Sequence, residues 1–239
     1  MDYKKLSICI PTYNSSKSLT NCLQSIASCQ MHNEIQICIS DNASNDQTKE
    51  IVYKYKSKLN IKYHRFDANM GRVKNYLNVV DMADSTFTWL IGDDDLLAPN
   101  SIEKILQLIQ INSEIDFFYI NSFNLSTEYI TSYSQPFNTK NLPKEMTRFS
   151  DYKSEGKLRF FDLINPKVSF DFVGAMFLAV FRKELWINNK DILDISAIED
   201  AREFSHFDNT FPHVKIFSAA FNNSFAYFYP EPLTVNLSG

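Results

Sequence analysis

Hydrophobic positions follow two alternating patterns over the first half of the chain. Short apolar runs typical of buried strands alternate with segments in which apolar residues recur every three or four positions, as on one face of a helix. The predicted strands cover residues 6–10, 34–40, 61–66, 86–91 and 116–120, and the predicted helices cover residues 18–29, 47–58, 71–83 and 101–111. This alternation predicts an α/β fold with a doubly wound, mostly parallel sheet.

The second half of the chain is less regular. Residues 124–156 are polar and predict a long loop or a small hairpin. The remaining pattern predicts a helix over residues 157–163, a strand over 173–181, a helix over 211–221 and a last strand over 224–229. We therefore expect a single domain over residues 1–239, with a regular half at about 1–115 and a less regular half at about 116–239.

Three adjacent aspartates, Asp93, Asp94 and Asp95, follow the strand at residues 86–91. In open α/β sheets, ligands bind at the C-terminal ends of the strands. Adjacent negative charges repel one another, and a divalent cation would offset that repulsion. Because oxygen ligands suit Mg²⁺ or Mn²⁺, which also bridge to phosphates, the triplet indicates a metal–diphosphate site. The alternative is a solvated acidic turn that caps the following helix.

Polar residues also end the first two strands. Pro11, Thr12, Tyr13 and Asn14 end the first, and Asp41 and Asn42 end the second. Such residues favour turns in general, but together they suit a nucleoside diphosphate. Asp41 would accept a hydrogen bond from a uracil N3–H, Tyr13 would pack on the base, Asp93 would accept from the ribose hydroxyls and Asp95 would hold the cation.

Composition excludes several classes of function. The net charge of −4 argues against a nucleic-acid partner, and no run of 18 apolar residues could span a membrane. The chain starts without a signal peptide, and its four cysteines lack CxxC spacing, so we expect reduced thiols and a cytoplasmic location. With only 5 glycines there is no glycine-rich phosphate loop, which argues against a nucleotidyltransferase.

These segments together resemble family 2 glycosyltransferases of the GT-A fold. The matching pieces are residues 8–14, residues 39–48, Asn69 to Gly71 with Asn75, and residues 89–95 followed by Pro99. They cover about residues 5–112, and their order and spacing both match. Residues 173–182 and 229–233 also look like the later landmarks of the family.

The resemblance implies an inverting transfer of a sugar from a nucleotide-sugar, most simply a UDP-sugar, assisted by Mn²⁺ or Mg²⁺. The acceptor would be a hydroxyl of a saccharide or lipid-linked saccharide in surface-polysaccharide assembly, with possible peripheral association at the inner face of the cell membrane. The nucleotide-sugar half would lie at about residues 1–115 and the acceptor half at about 116–239. The residues that would bind the nucleotide-sugar are Pro11, Thr12, Tyr13, Asn14, Asp41, Asn69, Arg72, Asp93 and Asp94. Asp95 would be the direct metal ligand, and His213 is a second candidate near the expected active site.

Two aspartates compete for the role of catalytic base that the resemblance implies. Asp200 belongs to a Glu-Asp dipeptide typical of the family, and Asp208 lies just before the helix that leads to residues 230–232. The distance to that landmark favours Asp208. The alternative role for either is a helix cap or a solvated helix acid.

The sequence is compatible with two other interpretations of its function. One is a nucleotidyltransferase on a related sheet, and the other is a binding domain that retains the pocket without a base. The chain ends soon after the last family landmark, so we expect a shortened or minimal member of the family.

Overall fold

A computed structural model describes residues 4–165, 174–200, 202 and 204–238 of the chain. Its strands are β1 (Leu6–Thr12), β2 (Gln36–Asp41), β3 (Ile61–Arg65), β4 (Phe87–Leu90), β5 (Leu96–Leu97), β6 (Phe117–Ser126), β7 (Thr147–Arg148), β8 (Gly156–Arg159), β9 (Ala179–Arg182) and β10 (Phe225–Ser238). Its helices are α1 (Ser16–Ser28), α2 (Thr48–Tyr55), α3 (Arg72–Asp81), α4 (Ser101–Ile111), α5 (Thr127–Thr131), α6 (Lys183–Ile187), α7 (Ile195–Glu199), α8 (Phe207–Thr210) and α9 (Pro212–Ala220).

The strands form one sheet in the order β3-β2-β1-β4-β9-β6-β10-β5, to which β7 and β8 add at β6 and β10. β3, β2, β1 and β4 run parallel, and β9 runs antiparallel between β4 and β6. All seven residues of β1 are buried, as expected for a central strand of a sheet covered on both faces. The predicted α/β architecture is confirmed, and the parallel half brings the ends of β1, β2 and β4 to one edge.

A cluster of aromatic rings forms the core of the second half. Phe117 packs against Phe160 and Phe217 with ring centroids 5.1 Å apart in both pairs, and Phe181 stacks on Trp186 at 5.2 Å. Trp186 is fully buried here, and Trp89 is fully buried in the same core. Both tryptophans are therefore structural.

Several predicted elements of the second half were wrong or incomplete. Residues 157–163 are not an α-helix, because β8 pairs antiparallel with β10 and a 3-10 helix follows at Phe160–Leu163. The strand predicted at 173–181 is only β9, preceded by a 3-10 helix at Met176–Leu178, and residues 166–173 lie outside the described residues. The polar stretch at 124–156 contains the end of β6, α5 and β7.

The last strand is much longer than the sequence indicated. β10 continues through Pro230 and Pro232, where its register with β6 shifts. Its distal part pairs with β5, directly after the acidic triplet, so that Thr234 lies opposite Leu97. The two prolines are accommodated at these irregular positions of the ladder, where a missing N–H is tolerated. No helix within the described ranges is both long and apolar enough to cross a membrane.

Candidate active site

A cleft of about 580 Å³ lies at the C-terminal end of β1. One wall comes from the end of β1 and the start of α3, another from Asp93, and a third from the segment around α7 and α8. Asp94 and Asp95 are not among the residues that line the cleft. The predicted site residues that line it are Pro11, Thr12, Tyr13, Asn69, Arg72, Asp93 and Asp200. The cleft therefore brings together predicted nucleotide-binding residues, such as Pro11, and the candidate base Asp200, although these lie more than 180 positions apart in the sequence.

The acidic triplet forms a turn that is held from β1. Thr12 Oγ1 donates a hydrogen bond of 2.6 Å to Asp93 Oδ2, and Asp95 is almost completely buried. Burial raises the pKa of Asp93 to about 6 in spite of that hydrogen bond, and burial together with the charge of Asp94 raises the pKa of Asp95 to about 7. The turn therefore concentrates negative charge that the surrounding protein compensates only in part.

Gly92 gives the acidic side chains room to converge. A β-carbon at this position would lie 2.5 Å from Asp94 Oδ1 and 3.0 Å from Asp95 Oδ2, so any larger residue would displace the carboxylates. The Gly92 N–H donates to Asp95 Oδ2 at 2.7 Å, and Asn236 Nδ2 of β10 donates to Asp95 Oδ1 at 3.3 Å. The long last strand thus fixes the acidic turn as well as the sheet edge.

The acidic turn supplies carboxylate oxygens, the kind of ligand that a hard divalent cation prefers. In the part of the chain that the structure describes, no three His, Cys, Asp or Glu side chains form a complete metal cage. Mg²⁺ commonly binds proteins through one or two carboxylates and takes its other ligands from phosphates and water. The carboxylates of Asp94 and Asp95 both lie near Gly92, but the two oxygens of Asp95 already accept hydrogen bonds from Gly92 and Asn236, so metal binding by this pair stays a prediction.

A network of amides shapes the wall at the start of α3. Asn42 Nδ2 donates to Asn69 Oδ1 at 2.7 Å, and Asn42 Oδ1 accepts from the Met70 N–H at 2.7 Å. Gly71 follows with φ of +85°, a conformation that favours glycine, and α3 begins at the next residue. The amide of Asn75 donates to the carbonyl of Thr12 at 3.2 Å, which ties α3 to the end of β1.

Two predicted nucleotide-binding residues have side chains that bond to the protein itself. Asp41 is fully buried, accepts from Ser44 N at 2.8 Å and Tyr63 Oη at 2.7 Å, and lies 3.5 Å from Arg65 Nε. Asn14 Oδ1 accepts from the Asn45 N–H at 2.8 Å. Neither residue is among those that line the cleft, and their contact with a nucleotide stays a prediction.

The two candidate bases occupy different environments. Asp200 lines the cleft, and Arg202 binds its carboxylate with an Nη2–Oδ2 distance of 2.7 Å, which holds the pKa of Asp200 well below its usual range. Asp208 is buried away from the cleft lining, where its Oδ2 accepts from Asp194 N at 2.7 Å and from Lys215 Nζ at 2.6 Å. Of the two candidates, Asp200 lines the cleft and Asp208 does not, and the identity of the base stays a prediction.

His213 lies on α9 and is buried, with its ring centroid 6.4 Å from that of Phe211 and 6.0 Å from that of Phe217. It is not among the residues that line the cleft, and its role as a metal ligand stays a prediction. Conversely, the cleft includes Tyr76 and Asn209, which the sequence did not indicate. Tyr76 occurs among apolar residues at helical spacing, and Asn209 lies in the four-residue helix α8, so neither carries a local signal.

Comparison with known proteins identifies the family. The family model described as glycosyl transferase family 2 matches residues 7–170, which is more than half of the chain. The chain belongs to glycosyl transferase family 2. The predicted resemblance is confirmed, and the match includes the acidic triplet and the start of α3.

Two curated relatives of this family 2 member carry established names. Abequosyltransferase RfbV of Salmonella typhimurium is 27% identical over 235 residues, which cover 96% of this chain and 66% of RfbV. The poly(ribitol-phosphate) β-N-acetylglucosaminyltransferase TarS of Staphylococcus aureus is 34% identical over 107 residues, 44% of this chain and 19% of TarS. The chain thus spans less than two thirds of the length of both relatives.

Solved structures show the same fold. TarS residues 1–349 in complex with UDP superimpose with a TM-score of 0.71 at 21% identity, covering 98% of this chain and 61% of that one. The same TarS fragment in complex with UDP-GlcNAc superimposes with a TM-score of 0.69 at 22% identity, covering 98% of this chain and 59% of the TarS chain. A mannosyltransferase of Pyrobaculum calidifontis in complex with GDP-Man and Mn²⁺ superimposes with a TM-score of 0.56 at 11% identity, covering 99% of this chain and 57% of the mannosyltransferase chain. This family 2 member therefore has the GT-A fold.

Proposed function

We propose that this chain transfers a sugar from a UDP-sugar to a hydroxyl group of a saccharide acceptor during surface-polysaccharide synthesis. The observation that carries the proposal is one cleft that contains the acidic turn, at Asp93, and a separate carboxylate, Asp200. Such a site offers one group for the leaving diphosphate and another for the acceptor. The names of RfbV and TarS support sugar transfer, and the complexes of TarS with UDP and UDP-GlcNAc support a UDP-sugar donor.

The donor would lie along the walls formed by β1 and α3. Tyr13 is 46% exposed at the cleft, which leaves its ring free to pack on a base. Asp93, oriented by Thr12, would accept from ribose hydroxyls, and the guanidinium of Arg72 would face the negatively charged diphosphate. Asp41 would orient the end of β2 and reach the base only after exchanging one of its present hydrogen bonds.

Asp95 and Asp94 would hold Mn²⁺ or Mg²⁺ at the acidic turn. When bound, the cation offsets the charge that develops on the departing diphosphate. The protein's contribution is to keep both carboxylates converging over Gly92 and to fix Asp95 through Asn236.

Asp200 would accept the proton of the acceptor hydroxyl. The acceptor oxygen would then attack the anomeric carbon from the face opposite the diphosphate, and the bond from that carbon to the diphosphate would break as the new glycosidic bond forms, with inversion. Arg202 now binds this carboxylate, but the Arg202 side chain is 83% exposed and is free to swing towards solvent. Asp200 would then be available to a bound acceptor.

The test is a panel of UDP-, GDP- and dTDP-sugars incubated with the protein and Mn²⁺. Release of nucleoside diphosphate from a UDP-sugar, accelerated by saccharide acceptors, is the expected result. Asp200→Asn should lower kcat by about a hundredfold or more with unchanged donor binding. The matched variant Asp208→Asn keeps an oxygen that can accept from the Asp194 N–H and should keep kcat within about threefold. Donor binding without turnover by the wild type would favour an idle binding domain, and no donor binding would refute the proposal.

The cytoplasmic location and a peripheral contact with the inner face of the cell membrane also stay predictions. Sedimentation with anionic phospholipid vesicles tests the second of them, and a protein that stays in the supernatant would refute it.

A further inference from the structure

Asn209 holds the backbone from which Asp200 projects. Its side chain is 8% exposed, and its Nδ2 donates to the carbonyls of Asp200, at 3.0 Å, and Ala197, at 3.4 Å. α7 ends at Glu199, so the Asp200 carbonyl lies just beyond the helix, and the Ala197 carbonyl also accepts from the Asp200 N–H at 3.4 Å. A single amide therefore fixes the direction in which the chain leaves α7 at Asp200.

The same residue is bonded to the donor side of the cleft. Arg72 Nη2, from the first residue of α3, donates to the Asn209 carbonyl oxygen at 3.1 Å. The Arg72 guanidinium also lies 5.2 Å from the ring of Phe204, and the neighbouring Lys74 pairs with Glu199 at 3.0 Å. The wall that carries Arg72 is thus connected to the segment that carries Asp200 through Asn209.

We propose that Asn209 is a positioning residue that sets the place of Asp200 relative to the bound donor. This inference rests on the proposed function of Asp200 as base. Asn209 acts through its side-chain amide on the Asp200 backbone and through its own carbonyl on Arg72. Asp208, the preceding residue, anchors the other end of α7 because its carboxylate accepts from Asp194 N, the N-cap of that helix.

The expected consequence is a loss of turnover without a loss of donor affinity. Displacement of a catalytic group by about 1 Å costs about a hundredfold in rate, so Asn209→Ala should lower kcat by about ten- to a hundredfold. The bond from Arg72 goes to the backbone of Asn209 and survives the substitution, so the Kd for UDP should change by less than about twofold.

A matched control exists at the end of α4. Asn112 Nδ2 donates to the Leu108 carbonyl at 3.0 Å, so it caps a helix end with the same chemistry outside the cleft lining. Asn112→Ala should lower the melting temperature in the same way as Asn209→Ala and should leave kcat unchanged. Asn209→Asp, which keeps the shape and removes the donor, should reproduce the kinetic loss of Asn209→Ala.

The deciding experiment is a double-mutant cycle between Asn209→Ala and Asp200→Asn. The readout is the rate at which UDP-GlcNAc, and each other UDP-sugar in the panel, is hydrolysed in the presence of Mn²⁺. Asn209→Ala should lower kcat in the wild-type background and change it by less than about twofold in the Asp200→Asn background. An equal loss in both backgrounds, or a parallel loss of UDP affinity, would overturn the positioning role. Wild-type kcat in Asp200→Asn alone would instead refute the base assignment in the proposed function.

Discussion

Replacing Thr12 by valine isolates the hydrogen bond that holds the acidic turn. The Thr12 side chain is 2% exposed, and its Oγ1 donates to Asp93 Oδ2 at 2.6 Å. Valine has nearly the same shape, so Thr12→Val removes the hydroxyl and keeps the packing volume. The carbonyl of Thr12, which accepts from Asn75 Nδ2 and from Asn42 N, is unchanged.

The size of the effect follows from the protonation state of Asp93. A hydrogen bond to an ionised group contributes about 1.5–3 kcal/mol, and one between neutral groups about 1 kcal/mol. Burial raises the pKa of Asp93 to about 6, and the hydroxyl of Thr12 opposes that rise, so Thr12→Val should raise the pKa further. Because a raised folded-state pKa of an acid costs stability as pH rises through it, the variant should lose about 2 kcal/mol of unfolding free energy near pH 8 and about 1 kcal/mol near pH 5.

Urea unfolding in EDTA, followed by the fluorescence of the buried Trp89 and Trp186, measures both values. Thr12→Ser keeps the hydroxyl and serves as the control, and its loss should be the same at both pH values. A loss in Thr12→Val that is no larger near pH 8 than near pH 5 would refute the role given to this hydrogen bond.

Three further predictions concern the charged groups. Burial, with the charge of Asp94, raises the pKa of Asp95 to about 7. Because the unfolded chain loses this proton near pH 4, the metal-free protein should lose stability between about pH 4 and pH 7. Asp95→Asn should flatten that slope in thermal-shift assays, and an unchanged slope would contradict the prediction. Asp208→Asn removes the charged partner of Lys215, which is only partly exposed, and should therefore lower the unfolding free energy by about 2 kcal/mol in urea titrations. A variant as stable as the wild type would argue against a stabilising ion pair. Arg202→Ala should raise the pKa of Asp200 and move the acidic limb of kcat/KM to higher pH, and a limb that does not move would argue against Asp200 as base.

The sequence was sufficient for the half of the fold in which contacts are local in the chain. β1, β2, β4 and α4 were predicted within a few residues, because each carries its own apolar pattern between polar strand ends. Parallel strands necessarily bring those ends to one edge, and this is why Thr12 and Asp93 could be assigned to one site.

The rest depends on pairing between distant segments. β5 has two residues and no pattern of its own, and it exists because Leu96 and Leu97 pair with β10. The prolines of β10 indicated an end to the strand, yet its irregular register with β6 accommodates them. No local pattern could show that β8 would be a strand, since its partner lies nearly 70 residues later in the chain.

For the same reason, the sequence could not show which of Asp200 and Asp208 lies at the cleft. Distance along the chain favoured Asp208, but Asp194 and Lys215 bind its carboxylate inside the protein. Burial and partners, which decide whether a carboxylate faces substrate, are set by how α7, α8 and α9 pack. The role proposed for Asn209 likewise depends on the backbone carbonyls to which its side chain donates, and the sequence does not show these contacts.

The central claim is that the acidic turn binds a nucleoside diphosphate with the help of a divalent cation. Calorimetric titration of UDP in the presence of Mn²⁺, in EDTA, and with the variant Asp93→Asn tests it most directly. Saturable binding in Mn²⁺ that weakens by about tenfold or more in EDTA and in the variant is the predicted result. Absence of saturable binding in Mn²⁺, or equal affinity in all three titrations, would contradict the account.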